Sequence, residues 1–157
     1  MAKGIYRRGN ILWIAYVGPD GKVIRESSKS SKVKDAETFL REGMRNNPDS
    51  YEIPFELGRL YYENYHDPAR ARSVWELGLR RWAEQEAAGK KPDLLQLDQL
   101  AVNLSRLEEK EGNLPRAIEL LGLAQKASPH PEVLQQQIDE LKEKLAAPPP
   151  SAAPKAR

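Results

Sequence analysis

Between residues 5 and 27 the apolar positions alternate with polar ones or run together briefly, and no helical stripe can be drawn through them. Ile11 to Val17 is rich in β-branched and aromatic side chains, as strands are. Gly18-Pro19-Asp20-Gly21 predicts a turn, because proline presets φ and the glycines accept positive φ. Residues 11–27 therefore predict a hairpin whose second strand is Lys22 to Ser27, with Ile5 to Arg8 as a third strand. Alternation puts Leu12, Ile14, Tyr16 and Ile24 on one face, to be covered by a helix through Phe39 and Leu40. Ala15, Val23 and Arg25 fall on the other face, which is left open. Three short strands cannot bury both faces by themselves.

From Ser31 onward the period changes to that of helices. Segment 32–46 aligns Ala36, Phe39, Leu40 and Gly43, and segment 51–64 aligns Ile53, Leu57, Leu60 and Tyr61. Asp67-Pro68 is a cap followed by proline in the first turn, opening a helix to about Glu86. Asp93 to Lys110, 114–127 and 132–145 complete the set, the last with Leu134, Ile138, Leu141 and Leu145 on one face. From Ala146 the chain carries Pro148, Pro149, Pro150 and Pro154 and nothing to bury, so 147–157 is expected to be disordered. The fold class is thus mainly α: about six helices over 32–146, preceded by a small three-stranded antiparallel sheet in 1–31.

The formal charge of +2 hides a division. Residues 1–34 hold eight basic side chains against two acids, a charge of +6, and the remaining 17 basic and 21 acidic residues give −4. Such a split points to a polyanion-binding end joined to something else. Zero cysteines exclude a disulfide scaffold and a thiolate metal site, and His66 and His130 are too few for a histidine metal centre. Neither a membrane span nor a signal-peptide stretch is found, so a cytoplasmic chain is expected. Gly18-Pro19-Asp20-Gly21 is not followed by the Gly-Lys-Ser/Thr of a phosphate loop. Glu108-Glu109 and the Glu84/Glu86 pair read as surface acids partnered by Lys110 or Arg80 and Arg81. No catalytic set, cofactor or metal is expected.

The helices share a spacing. Leu57-Gly58, Tyr61, Ala71, Trp75 and Gly78 recur as Leu104, Ala117, Leu121, Ala124 and Pro129, and in part as Ala36, Leu40, Gly43 and Pro48. This resembles the tetratricopeptide repeat, a helix–turn–helix unit of about 34 residues. Two departures stand out: Ala71 and Ala117 are 46 positions apart, and Ser105 and Glu108 stand where glycine and an aromatic belong. The resemblance implies an α-solenoid whose first helices line a groove for a protein or peptide partner. Carried over by position, the groove residues are Phe55, Arg59 and Tyr62 in one unit and Val102, Asn103 and Arg106 in the next. Tyr61 and Trp75 fall at core positions, whereas Tyr62 and Trp82 are less committed to the core.

The N-terminal segment resembles a different family. Gly4-Ile5-Tyr6-Arg7-Arg8-Gly9, Trp13-Ile14-Ala15-Tyr16, Gly21 to Ser27 and Lys34-Asp35-Ala36-Glu37 are similar to the arm-type DNA-binding domain of phage-type integrases. That resemblance covers 4–45 and implies duplex DNA as a partner, met by Arg7, Arg8, Lys22, Arg25, Lys29 and Lys32. Family members carry basic or polar residues where Ala15 and Val23 stand, so phosphate attraction is expected ahead of base reading. A recombinase would also need a core-binding domain and an arginine–histidine–arginine–tyrosine set, and neither histidine has arginine three residues later. The leading expectation is a non-catalytic adaptor working through helical repeats and tethered to DNA by its basic β module. The alternative is a small DNA-binding factor that uses the repeats for dimerisation or recruitment.

Overall fold

The computed structural model describes residues 4–9, 11–17, 22–27, 29 and 32–147. The expected turn at 18–21 and the tail beyond Ala147 lie outside the described residues. Strands β1 (Gly4–Arg8), β2 (Ile11–Val17) and β3 (Val23–Ser27) form an antiparallel sheet with β2 in the middle. Six helices follow: α1 (Val33–Asn46), α2 (Glu52–Glu63), α3 (Pro68–Ala87), α4 (Leu94–Lys110), α5 (Leu114–Gln125) and α6 (Pro131–Ala146). Each helix packs against the next in sequence.

The helix boundaries follow from local chemistry. The Asp67 side chain accepts the Arg70 backbone N–H at 2.9 Å, and Pro68 occupies the first turn of α3, where a missing N–H costs nothing. Asp93 caps α4 in the same way, accepting from the Leu95 N–H at 2.9 Å. Gly112 ends α4 at φ +80°, a conformation that L side chains resist. Asn113 does not cap α5 with its side chain; its Nδ2 donates to Glu108 instead.

Two main clusters form the core. The larger joins Ile14 of β2 with Leu40 of α1, Ile53 and Leu57 of α2, Trp75 of α3 and Leu100 and Leu104 of α4. The second joins Ala101, Ala117, Leu121 and Ala124 to Leu134, Ile138 and Leu141 of α6. Leu145 does not join its expected stripe: it is 51% exposed and absent from the cluster that holds Leu134, Ile138 and Leu141. Trp82 is buried and donates its indole N–H to the Asp93 carbonyl at 2.8 Å.

The sheet meets the helices mainly through α2, although α1 was expected to cover it. Ile14 is buried in the cluster that holds both Leu40 and Ile53. Every residue from Tyr51 to Gly58 is buried, so the first half of α2 is enclosed by its neighbours, while Arg59, Tyr62 and Glu63 in the second half reach the surface. The buried run includes Glu52 and Glu56 as well as Ile53, Phe55 and Leu57, and Glu56 is ion-paired to Arg59 one turn on.

Candidate functional site

The six groove positions have different fates. Phe55 is only 6% exposed and belongs to the Ile14 cluster, so it offers nothing to a partner. That cluster is built from α1, α3 and α4 together with Ile14 of β2, which also packs on α2. Arg59 is partly buried and ion-paired to Glu56 at 3.7 Å and Glu63 at 3.2 Å. Burial works against its charge, but Glu56 and Glu63 outweigh that and raise its pKa. Val102 is half-buried against the second cluster, and Asn103 donates to the Gln99 carbonyl at 2.7 Å. Arg106 is exposed.

Tyr62 is the position that connects elements. Its ring lies 5.8 Å from that of Trp75, and the Lys110 ammonium of α4 sits 5.1 Å above it. Lys110 also donates to the Tyr62 hydroxyl. Beside this contact a cleft of about 570 Å³ opens between α2 and α4, lined by Tyr62, Pro68 and Leu107 with Glu63, His66 and Glu111 around it. His66 holds φ at +52° in the tight turn before α3. On the other flank of α4, Arg106 lines a recess of about 200 Å³ with Gln137, Glu140 and Lys144 of α6. Lys144 spans the gap to Glu109 at 2.8 Å. Arg106 and Lys110 are four residues apart, so one exposed stripe of α4 runs between cleft and recess.

The two departures from the repeat pattern are explained by contacts that spacing could not show. Ser105 replaces a glycine, yet it is buried, and its Oγ donates to the Ala117 carbonyl at 3.0 Å. Glu108 replaces an aromatic and was expected on the surface beside Lys110; it is 5% exposed. Its carboxylate accepts from Arg72 Nε at 2.6 Å and Asn113 Nδ2 at 2.8 Å. Arg72 also pairs with Glu111. Sequence reasoning missed Glu108 because its partner is 36 positions away. Glu109, its neighbour, is the one that reaches a surface lysine.

At the N-terminus, direct pairing puts Tyr6, Arg8, Ile11, Trp13, Ala15 and Arg25 on one face of the sheet. Arg8 lies over the Trp13 ring at 5.8 Å. Lys22, Arg25, Lys29 and Lys32 are exposed, and Lys29 adopts φ +55° with its N–H on Ser27 Oγ. The side chain of Arg7 lies outside the described residues. Ala15 was expected on an open face but is 1% exposed. It is the smallest side chain on the central strand and sits between the larger Trp13 and Arg25.

Among the described residues no three acidic or histidine side chains gather where a metal ion could be held. No described helix is long and apolar enough to cross a membrane. Compared with known proteins, the chain matches no family model and no curated protein.

Proposed function

We propose that the chain is a non-catalytic interaction adaptor built on tetratricopeptide-like units. In this reading α2–α3 and α4–α5 are two units, α1 is the second helix of an incomplete leading unit, and α6 is the cap. The small residues at the helix crossings support it: Ala71, Ala117 and Ala124 are fully buried. At Gly58 a Cβ would fall within the Trp75 indole.

One observation carries the proposal. Alternate helices touch: Tyr62 of α2 meets Lys110 of α4, and Glu109 of α4 meets Lys144 of α6. Such contacts between alternate helices are what pairs laid side by side in the same sense would make. The partner surface is then α4, α6 and the end of α2, since β2 covers the rest of α2. Its mixed charges and the half-buried Tyr62 suit a protein segment.

The test compares proteins retained from lysate by the wild-type chain with those retained by two charge reversals. Arg106→Glu lies on the proposed surface, and Arg80→Glu is exposed on α3. A defined set of proteins lost with Arg106→Glu and kept with Arg80→Glu is expected. Equal retention by both variants would contradict the proposed surface.

A further inference from the structure

Two cations and two aromatic rings share one face of the sheet. Both arginines whose side chains are described there, Arg8 and Arg25, fall on the face that carries Tyr6 and Trp13. The one acid on the strands, Glu26, stands opposite Ile14 and so falls on the other face, whose Ile14 is buried among the helices. Tyr6 and Trp13 are directly opposed across β1 and β2, and both rings are partly exposed. Arg8 is exposed beside the indole, with Arg25 across the central strand and Lys22 exposed just ahead of β3. Residues 1–34 as a whole carry +6.

A partly exposed aromatic pair flanked by exposed cations, on the sheet face opposite Ile14, has the chemistry that holds unpaired bases. Each base offers a π-face to stack on a ring, and the phosphates between bases meet the flanking cations. A duplex hides those π-faces within its stack, so the two rings would add nothing to binding it. We infer that this face binds single-stranded nucleic acid, with bases stacked on Trp13 and Tyr6 and phosphates met by Arg8 and Arg25.

The full chain contains its own reporter. Trp75 and Trp82 are 1% and 4% exposed, so quenching of tryptophan emission by an added oligonucleotide registers at Trp13. The experiment titrates the protein at low salt with an oligothymidylate and with a mixed-sequence duplex of equal length, reading anisotropy and emission. Oligothymidylate should bind more tightly than duplex and quench the emission. Its log–log salt slope should be about −1.4, as two phosphate contacts on a single strand require. Trp13→Ala should weaken binding about tenfold or more, and Trp13→Phe should restore most of the loss. Arg25→Glu changes an exposed side chain and should weaken binding by a similar factor with the circular dichroism unchanged. Tighter binding to duplex, binding without quenching, or no binding to either probe would each overturn the inference.

Discussion

The Tyr65 hydroxyl donates to Glu37 Oε2 at 2.7 Å, tying α1 to the turn after α2. Tyr61 donates to the other oxygen of the same carboxylate at 3.0 Å. Arg70 stacks on both phenol rings, 4.5 and 5.2 Å from their centres, and reaches Glu37 at 3.7 Å. Three consecutive helical segments thus meet at one ionised glutamate.

That network sets an acid limb to stability. Burial alone would raise the pKa of Glu37, but the Tyr65 and Tyr61 hydrogen bonds, with Arg70 and Arg41, outweigh it and hold it below the ordinary 4.5. A depressed carboxylate contributes stability that is present above its unfolded pKa and lost as pH falls through its folded one. The melting temperature should therefore fall on acidification below about pH 4.5. Glu37→Gln should melt lower at neutral pH and lose part of that acid dependence, read from melting curves across the range.

Trp75 and Gly58 form the tightest contact between α2 and α3. The indole N–H donates to the Phe55 carbonyl at 3.0 Å, and the ring fills the space above Gly58. Trp75→Ala should cost about 3–5 kcal/mol and lower the melting temperature by roughly 10 °C or more. Gly58→Ala forces the ring to move and should cost about 1–3 kcal/mol or more. In the Trp75→Ala background the same change should cost far less, which a double-mutant cycle would read directly.

Glu108 depends on Arg72. Removing the arginine leaves a buried carboxylate with only Asn113 to pair it. Arg72 keeps part of its side chain in water, so the loss for Arg72→Ala should sit below the fully buried case, at about 2–3 kcal/mol. Replacing both residues by leucine should recover most of that loss, since desolvated charges then vanish together. Chemical denaturation of the three variants distinguishes the pair from simple packing.

Asp98 has the opposite sign to Glu37. Its Oδ1 is buried without a hydrogen-bond partner, and burial raises its pKa although Ser128 partly offsets this. A raised carboxylate opposes folding when ionised, and the penalty fades as pH falls below its folded pKa. Asp98→Asn should therefore raise the melting temperature at neutral pH, and the gain should shrink in acid. Paired melting curves at the two pH values check it.

Much of the fold was legible in the residues themselves. Asp67-Pro68, Asp93 and Gly112 mark helix ends through short-range chemistry, and Ile11 to Val17 reads as a strand from its β-branched and aromatic side chains. What stayed hidden depends on distant partners. Phe55 sits at a groove position, but β2 lies on its helix, and local spacing says nothing of that. Nothing local marked it: Glu52, Glu56, Arg59 and Glu63 fall at helical spacing as a polar stripe, the pattern of a helix with one face in water. Glu108 looked like a surface acid because nothing nearby in sequence could neutralise it inside. Tyr62 was left between core and surface, and it is both: packed on Trp75 and open to the cleft.

The central claim is that the chain's own sheet covers α2 and leaves α4 and α6 as the free surface. Ile14 is the residue at that junction, 1% exposed and clustered with Leu40 and Ile53. The direct measurement is hydrogen exchange on Ile14→Glu beside the wild type. A charge there should detach the sheet, so exchange should quicken in β1, β2 and β3 and along α2 while α4, α5 and α6 keep their protection. Unchanged exchange along α2, or equal loss of protection across all six helices, would contradict the claim.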